Sequence, residues 1–326
     1  MSDQEPVDAP PTPSAIKTPL EDSPALRDPA AVGFVPEITG SAAGAVESST
    51  GSIRRENLRL LLRSPAFLIG AAILLWWIVC ALFGKAFAPY NALAGNLLAF
   101  NQPPSGAHWF GTDSLGRDVF SRVIVGAQEI LIVTPLATLL GTVLGTTIGL
   151  VQGYFLGPVD SFVGRIVDAV LALPILIVAF LFVVALGPSS PTLIVVIGLV
   201  FGLLIARTVR TAVLQERGLD YIAAARLRDE SGPHIMFVEI LPNVLGPILV
   251  EFTVRLGYAI FTVASLSFLG FGIQPPTPDW GADIANSAQY LAAGYWWQTL
   301  FPALAIASLV VAVNLIADSI EAVIIQ

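Results

Sequence analysis

The sequence predicts an all-α protein that crosses a membrane six times. Of its 326 residues, 55% are hydrophobic and 12% are charged, and the charged share is about half that of an average soluble domain. A spanning helix needs about 20 largely apolar residues. Windows of roughly this kind are 65–83, 130–150, 169–186, 192–206, 244–269 and 300–317. The fourth window is short, and we expect its helix to continue past Arg207, because long basic side chains extend towards the membrane surface.

Basic residues near the span ends predict the orientation of the chain. Ten arginines flank one set of span ends, whereas the other set has only Lys85, Arg117 and Arg122. The ten are Arg54, Arg55, Arg59, Arg63, Arg165, Arg207, Arg210, Arg217, Arg226 and Arg228. We therefore expect both termini in the cytoplasm, together with the polar segment 215–243 between the fourth and fifth spans.

Residues 1–52 differ in composition from the rest of the chain. They contain eight of the 24 prolines, and eight acidic residues against Lys17 and Arg27. Low hydrophobicity combined with high net charge predicts disorder, and the basic start and apolar core of a signal peptide are missing. We expect an acidic, disordered cytoplasmic tail over 1–52.

The sequence shows no catalytic or metal-binding motif. Cys80 is the only cysteine, which excludes an intramolecular disulfide and a cysteine-based metal site. His108 and His234 fall on opposite sides of the membrane in the predicted topology. A phosphate-binding glycine loop and a nucleophile elbow are also missing, so we expect no enzyme activity, no metal, no cofactor and no nucleic-acid partner.

The segment 108–122, after the first span, combines turn, acidic and basic residues. Thr112, Asp113 and Ser114 can cap a helix, so we expect a short helix here. Its apolar face would carry Leu115, Val119, Phe120 and Val123. Two interpretations are open: an interfacial helix whose basic residues meet lipid headgroups, or a gate or platform for an external binding protein.

Four glycines in the second span recur every four residues: Gly141, Gly145, Gly149 and Gly153. They fall near one helix face and remove side-chain bulk from it, so the pattern predicts close packing of another helix.

Glu251 and Arg255 lie four residues apart in the fifth span, and therefore on one face. Ionisable residues inside a membrane are candidates for function. Since these two can neutralise each other, we favour a structural ion pair over a substrate site.

The polar segment 215–243 interrupts an otherwise lipid-compatible sequence. We expect a short helix with Leu219, Ile222, Ala223 and Leu227 on one side. Tyr221 and Arg226 would offer a partner an anchor and a bidentate donor. A second helix is expected to start at Ser231-Gly232-Pro233 and to end at Leu241-Pro242. The residues alone leave two possibilities open: a helix resting on headgroups, or a helix that docks into a soluble partner.

The same segment resembles the EAA loop of the permease subunits of ABC importers. Residues 110–122 and 266–281 are similar to the C-type permease of dipeptide, oligopeptide and nickel importers, and with Ile240-Leu-Pro-Asn243 these blocks recur in order. The resemblance implies the type I ABC importer architecture with a cytoplasmic coupling helix. It places the first membrane helix and an external amphipathic segment at 53–125, and the permease domain at 126–326.

The resemblance also implies a complex in the inner (plasma) membrane. A B-type permease would form the other half of the channel, two ATPase subunits would bind ATP and Mg²⁺, and an external solute-binding protein would deliver substrate. ATPase coupling is carried over to Tyr221, Ala224, Ala225, Arg226 and Gly232. The external gate or binding-protein contact is carried over to Gly111, Asp113, Arg117, Asp118, Gln274 and Trp280.

The chain departs from the family pattern at Ala223, where glutamate is usual, and at Asp229, where a helix-ending glycine is usual. We expect import of di- or oligopeptides, with nickel or another small solute as the alternative within the family. A self-sufficient secondary transporter is the alternative from another class, and a membrane scaffold is a third. A secondary transporter predicts midplane carboxylates and inverted repeats, and neither is evident.

Overall fold

The computed structural model describes residues 59–324, which are mostly helical. The nine longer helices of this part are α1 (Pro65–Phe87), α2 (Val119–Phe155), α3 (Gly157–Leu171), α4 (Ile175–Leu186), α5 (Ser190–Glu216), α6 (Asp220–Leu227), α7 (Leu245–Phe268), α8 (Trp280–Ala288) and α9 (Trp297–Ile324). Short 3₁₀ turns lie at Leu97–Ala99 and Leu291–Ala293. The predicted tail, 1–52, lies outside the described residues.

Among residues 59–324, five helices are long and apolar enough to cross a membrane: α1, α2, α5, α7 and α9. The pair α3 and α4, bent by 89°, makes a sixth span if it is counted as one broken helix. The all-α membrane fold is thus confirmed, with five to six candidate spans. The fourth span does continue past Arg207, since α5 extends for 27 residues to Glu216.

The third span is not the single helix that the sequence predicts over 169–186. The chain leaves the helical conformation between Leu171 and Ile175, because the residue before Pro174 resists the α region. The 12 residues of α4 measure only about 18 Å, short of the roughly 30 Å of a bilayer core.

The segment 112–118 is not a separate helix either. Its turn is closed by a bridge between Thr112 and Asp118, and Gly111 and Gly116 have φ of +73° and +69°. A right-handed helix cannot pass through such residues. The helix begins only at Val119, the first residue of α2.

The glycine face of α2 lies directly against α5. A Cβ at Gly145 would lie 2.5 Å from the carbonyl oxygen of Gly202 and 2.7 Å from the Cβ of Ile205. The other three, Gly141, Gly149 and Gly153, meet α5 in the same way, with nearest atoms at 2.9, 2.7 and 2.6 Å. The two backbones are therefore in contact over three turns.

Within residues 59–324, each end of α2 carries a polar region. Near its start, Val119 and Val123 pack with Trp280 and Trp297. Near its end, Leu150 packs with residues of α6 and of the segment before α7. Because α2 has 37 residues and is about 55 Å long, these regions lie at opposite ends. We call them the cap (residues 88–118 and 270–296) and the α6 segment (215–243).

Candidate functional site

Tyr221 fastens α6 to the helices on either side of it. Its hydroxyl donates to Oε2 of Glu216 at 2.7 Å and accepts from Nδ2 of Asn243 at 3.2 Å. Glu216 ends α5, and Asn243 lies two residues before α7. Burial, followed by the hydrogen bond to Glu216, raises the pKa of Tyr221 to about 12. The hydroxyl therefore stays protonated and keeps both contacts at physiological pH.

The short helix α6 has one buried and one exposed face. Ile222 and Ala225 are fully buried, whereas Leu227 is 89% exposed. The prediction that Ile222 and Leu227 share one side is wrong, because five residues turn a helix by about 500° and leave them some 140° apart. Ala223 and Ala224 lie on the exposed face with Leu227.

The end of α2 supports the far end of α6. The guanidinium carbon of Arg226 lies 5.6 Å from the ring centre of Tyr154, within the range of a cation–π contact. A Cβ at Gly232 would lie 3.1 Å from Cε1 of the same ring. Sequence analysis missed Tyr154, since no local pattern links it to a helix 70 residues away.

Asp229 occupies a position that favours glycine. Its φ is +60°, its N–H donates to the carbonyl of Arg226, and the N–H of Glu230 donates to the carbonyl of Ala225. This pair of bonds is the Schellman motif, in which the residue after the helix adopts the left-handed conformation. Asp229 thus takes the conformation of the helix-ending glycine that the family pattern has here.

The helix after Ser231 does not end at Leu241-Pro242, contrary to prediction. Helical residues continue through Gly232–His234, a π-helical turn at Ile235–Ile240 and Leu241–Asn243, and the break comes at Val244 with ψ of 6°. A π turn is wider than an α turn, which leaves room for the ring of Pro242. Nδ2 of Asn243 donates to the carbonyl of Glu239 at 2.8 Å, so that carbonyl is not left without a donor.

Charged residues between α6 and the π turn form an ion-pair cluster. Nε of Arg228 lies 2.7 Å from Oε1 of Glu230, and its Nη2 lies 3.5 Å from Oε1 of Glu239. The ligand atoms of Glu230, His234 and Glu239 lie within 4.8 Å of one another. Because Arg228 already pairs with both carboxylates, the arrangement favours an ion-pair cluster over a metal site.

At the cap end, buried Asp118 organises the first turn of α2. Its Oδ1 lies 2.9 Å from Nδ1 of His108, and its Oδ2 accepts from the N–H and the Oγ of Ser121 at 2.8 and 2.6 Å. The ring of Tyr90 lies 4.6 Å from that of His108. These contacts attach the loop 88–118 to α2.

Asp113 closes the turn before α2. Its Oδ1 accepts from the N–H of Leu115 and Arg117 at 2.8 and 2.9 Å, and its Oδ2 accepts from Nε of Arg117 at 2.6 Å. At Gly116 a Cβ would lie 1.9 Å from the carbonyl oxygen of Asn96. The turn is thus closed by its own residues and pressed against the loop in front of it.

Trp280 and Asp283 attach α8 to α2. The indole Nε1 of Trp280 donates to the carbonyl of Val123 at 2.9 Å, and its ring lies edge-on to Trp77 with 4.8 Å between centroids. Three residues on, Asp283 accepts from Nε and Nη2 of Arg122, the latter at 2.5 Å. A bidentate pair of this kind fixes orientation as well as distance.

Asp279 joins the end of α7 to the start of α8. Its Oδ1 accepts from the N–H of Ala282 at 2.8 Å, capping α8, and its Oδ2 accepts from Oγ of Ser267 at 3.1 Å. Burial raises the pKa of Asp279 to about 6, although both hydrogen bonds act to lower it. Asp279 thereby links the end of α7 directly to the cap.

The structure separates the residues predicted for the external contact into two groups. Gly111, Asp118 and Trp280 are buried, and Asp113 and Arg117 are partly buried. Gln274 is exposed, with Nε2 donating to the carbonyl of Gly272 at 3.0 Å. Of the six predicted residues, Gln274 is the most available to a partner. Direct contact with a binding protein stays a prediction for all six.

Glu251 and Arg255 contact each other within α7. Oε1 of Glu251 accepts from Nε and Nη2 of Arg255 at 2.7 and 2.5 Å, and the guanidinium lies 5.6 Å from the ring centre of Tyr258. This is the geometry of a structural ion pair, which remains our interpretation of its role.

Glu129 is an ionisable residue in α2 that sequence analysis missed, because the predicted span began one residue later. Its Oε2 accepts from Oγ of Ser190 at 3.2 Å. It lines a cleft of about 630 Å³ together with Lys85. The signal was present in the sequence, since a carboxylate next to a spanning window is a candidate for function.

Two family models match the chain. The binding-protein-dependent transport system inner membrane component matches residues 145–326, and the N-terminal TM domain of oligopeptide transport permease C matches residues 52–104.

Full-length relatives show the same similarity. The dipeptide transport system permease protein of Bacillus subtilis is 36% identical over 279 residues, which cover 86% of this chain and 87% of the relative. The dipeptide transport system permease protein of Escherichia coli is 38% identical over 265 residues, which cover 79% of this chain and 88% of the relative. A probable D,D-dipeptide transport system permease protein of Escherichia coli is 34% identical over 262 residues, which cover 80% of this chain and 88% of the relative. This chain therefore belongs to the inner membrane components of binding-protein-dependent transport systems.

Proposed function

We propose that this chain is the C-type permease subunit of an ABC importer of di- and oligopeptides. The names of its relatives support peptides as the substrate class. The observation that carries the coupling role is α6, a short helix with an exposed face of Ala223, Ala224 and Leu227. The small side chains of that face let a partner come close, and Leu227 can enter an apolar groove of the partner.

The coupling path starts at Tyr221. A push on α6 reaches α5 through the bond to Glu216 and α7 through the bond from Asn243. At its far end, α7 is joined to α8 by Ser267 and Asp279. Closure of the ATPase dimer would thus move α5 and α7 together and change the cap, which is the coupled motion that alternating access requires.

The partners follow from this role. A B-type permease completes the channel, two ATPase subunits bind ATP and Mg²⁺ and dock on α6, and a solute-binding protein docks on the cap. The α6 segment and both termini would then face the cytoplasm, and the cap would face outwards from the inner (plasma) membrane. Within the chain, residues 126–326 form the permease domain.

Ala225 is fully buried, so its role is to seat α6 and not to touch the ATPase.

The test uses the complete importer in proteoliposomes with ATP inside, its binding protein outside and radiolabelled L-alanyl-L-alanine. Tyr221→Phe removes the hydroxyl that joins α6 to Glu216 and Asn243. Tyr258→Phe removes a hydroxyl from an exposed tyrosine and is the matched control. We expect Tyr221→Phe to lower uptake about tenfold at unchanged subunit assembly, and the control to match wild type.

Three results would contradict parts of the proposal. If the Tyr221→Phe variant takes up peptide at the wild-type rate, the proposed coupling path through Tyr221 is wrong. Peptide uptake by this chain alone, driven by a proton gradient, would make it a secondary transporter. Import of nickel but not of peptide would leave the importer in place and change its substrate.

A further inference from the structure

A cleft of about 630 Å³ opens at the cap end of the molecule. The last turn of α1 contributes Lys85 to its wall, the first third of α2 contributes Gln128 and Glu129, and the segment Pro276–Pro278 closes one side. The volume lies within the range of about 300–1,000 Å³ that is usual for small-molecule sites. The cleft is thus large enough for a short peptide.

Glu129 lies near the edge of the hydrocarbon layer on the cap side. The 37 residues of α2 measure about 55 Å, against about 30 Å of hydrocarbon, so a centred helix extends some 12 Å beyond each boundary. Glu129 is ten residues, or about 15 Å, from the start of α2. A carboxylate at this depth is unfavourable unless it faces water or a partner, and here it faces the cleft.

The two charges of the cleft are not neutralised by each other. The ion pairs found among residues 59–324 include neither Lys85 nor Glu129. Oε2 of Glu129 accepts one hydrogen bond, from Ser190, and each carboxylate oxygen can accept more than one. One cation and one anion in the same cleft suit a ligand that carries both charges.

We propose that this cleft receives a short zwitterionic peptide, with Glu129 binding its α-ammonium group and Lys85 its α-carboxylate. The proposal rests on the proposed peptide import and adds a site for the peptide on the permease itself. Glu129 holds the ammonium by a charge-assisted hydrogen bond, the stronger kind. Lys85 is exposed on the last turn of α1, so its flexible side chain can follow peptides of different length.

The experiment measures binding-protein-dependent uptake of L-alanyl-L-alanine by the complete importer in vesicles of phosphatidylglycerol. Glu129→Gln keeps the shape and removes the charge, and we expect the maximal uptake rate to fall at least tenfold. The affinity of the separate binding protein for the dipeptide must stay unchanged. Asp318→Asn, an exposed acid-to-amide change near the end of α9, is the matched control and should transport like wild type.

Charge exchange separates binding from a structural effect. We expect Lys85→Glu and Glu129→Lys each to abolish most uptake, and their combination to transport faster than either, because a zwitterion can bind in the reverse direction. A combined variant no better than its parents would overturn the proposal. Should Glu129→Gln fail to assemble, Lys85→Gln, at an exposed position, provides the same test.

The outcomes also distinguish this proposal from the one on which it rests. If wild type imports no dipeptide, the proposed function fails first. If wild type and Glu129→Gln import equally, only the peptide site fails. The ammonium and phosphate of a zwitterionic lipid could also occupy the cleft, and a Glu129→Gln defect confined to vesicles that contain phosphatidylethanolamine would assign it to lipid and overturn the peptide site.

Discussion

Replacing Gly145 by alanine will push α2 away from α5. The added Cβ would lie 2.5 Å from the carbonyl oxygen of Gly202, and 2.7 and 2.9 Å from the Cβ and Cγ2 of Ile205, where ordinary contact starts at 3.4 Å. The nearest of these atoms belongs to the backbone and the next is fixed to it, so a rotamer change brings no relief. The helices must separate by about 0.5–1 Å, which forfeits a quarter to a half of the dispersion energy at the contact.

The net cost follows from two opposing terms. Overpacking of a tight interior costs about 1–3 kcal/mol, and the lack of rotamer relief favours the upper half of that range. Alanine regains about 1 kcal/mol of helix propensity over glycine. We expect Gly145→Ala to destabilise the folded chain by about 1–2 kcal/mol.

Gly164→Ala is the matched control, because Gly164 also lies inside a helix. The nearest atom to its added Cβ would be Nε2 of Gln152 at 3.7 Å, so only the propensity term operates. The melting temperature of the purified importer is measured from the fraction of complex that stays assembled on heating. We expect this temperature to be several degrees lower than wild type for Gly145→Ala, and equal to or higher than wild type for Gly164→Ala. Equal melting of both variants, or a gain for Gly145→Ala, would refute the backbone-contact argument.

Three further predictions concern the ends of the molecule. Asp229→Gly should stabilise the α6 segment by up to about 1 kcal/mol, because glycine adopts positive φ without strain. The hydrogen-exchange rate of the α6 amides should therefore decrease in Asp229→Gly and increase in Asp229→Val. Burial raises the pKa of Asp279 from 3.8 to about 6. Because the folded chain therefore binds this proton more tightly than the unfolded chain, the stability of the fold increases as pH falls from about 7 to 4. The difference in melting temperature between pH 5 and pH 7 should be smaller for Asp279→Asn than for wild type. Trp280→Phe removes the indole N–H that donates to the carbonyl of Val123, while that carbonyl keeps its helical hydrogen bond within α2. The lost bond should cost about 0.5–1.5 kcal/mol and lower the melting temperature more than Trp296→Phe at the exposed neighbour of Trp297.

The spans and the family could be predicted from sequence because both depend on local or ordered patterns. Lipid solubility is a sum over some 20 neighbouring residues, and α1, α2, α5, α7 and α9 coincide with five of the predicted windows to within a residue or extend beyond them. The glycine face of α2 was also visible, since a spacing of four returns to one side of a helix. The prediction of the third span as a single helix failed because a hydropathy window does not register the break that Pro174 imposes.

The positions of polar side chains could not be predicted in the same way. Asp113 and Asp118 were predicted to lie on a short helix and to contact an external partner, yet two glycines with positive φ end any helix there, and Asp118 is buried. In α6, a helix of eight residues, one face is decided by contacts with α2 and α5, not by a repeat. Tyr221 was expected to anchor a partner, and its hydroxyl instead binds within the chain.

By itself, then, the sequence determined an all-helical membrane permease and its transport family, because composition and motif order require no knowledge of distant contacts. The tertiary structure decided which of the motif residues support the fold and which are exposed to partners. It bonds Trp280 to the carbonyl of Val123, 157 residues away, and brings Lys85 and Glu129 to one cleft. Such pairs form only when whole helices pack, and helix packing depends on the shape of complete faces.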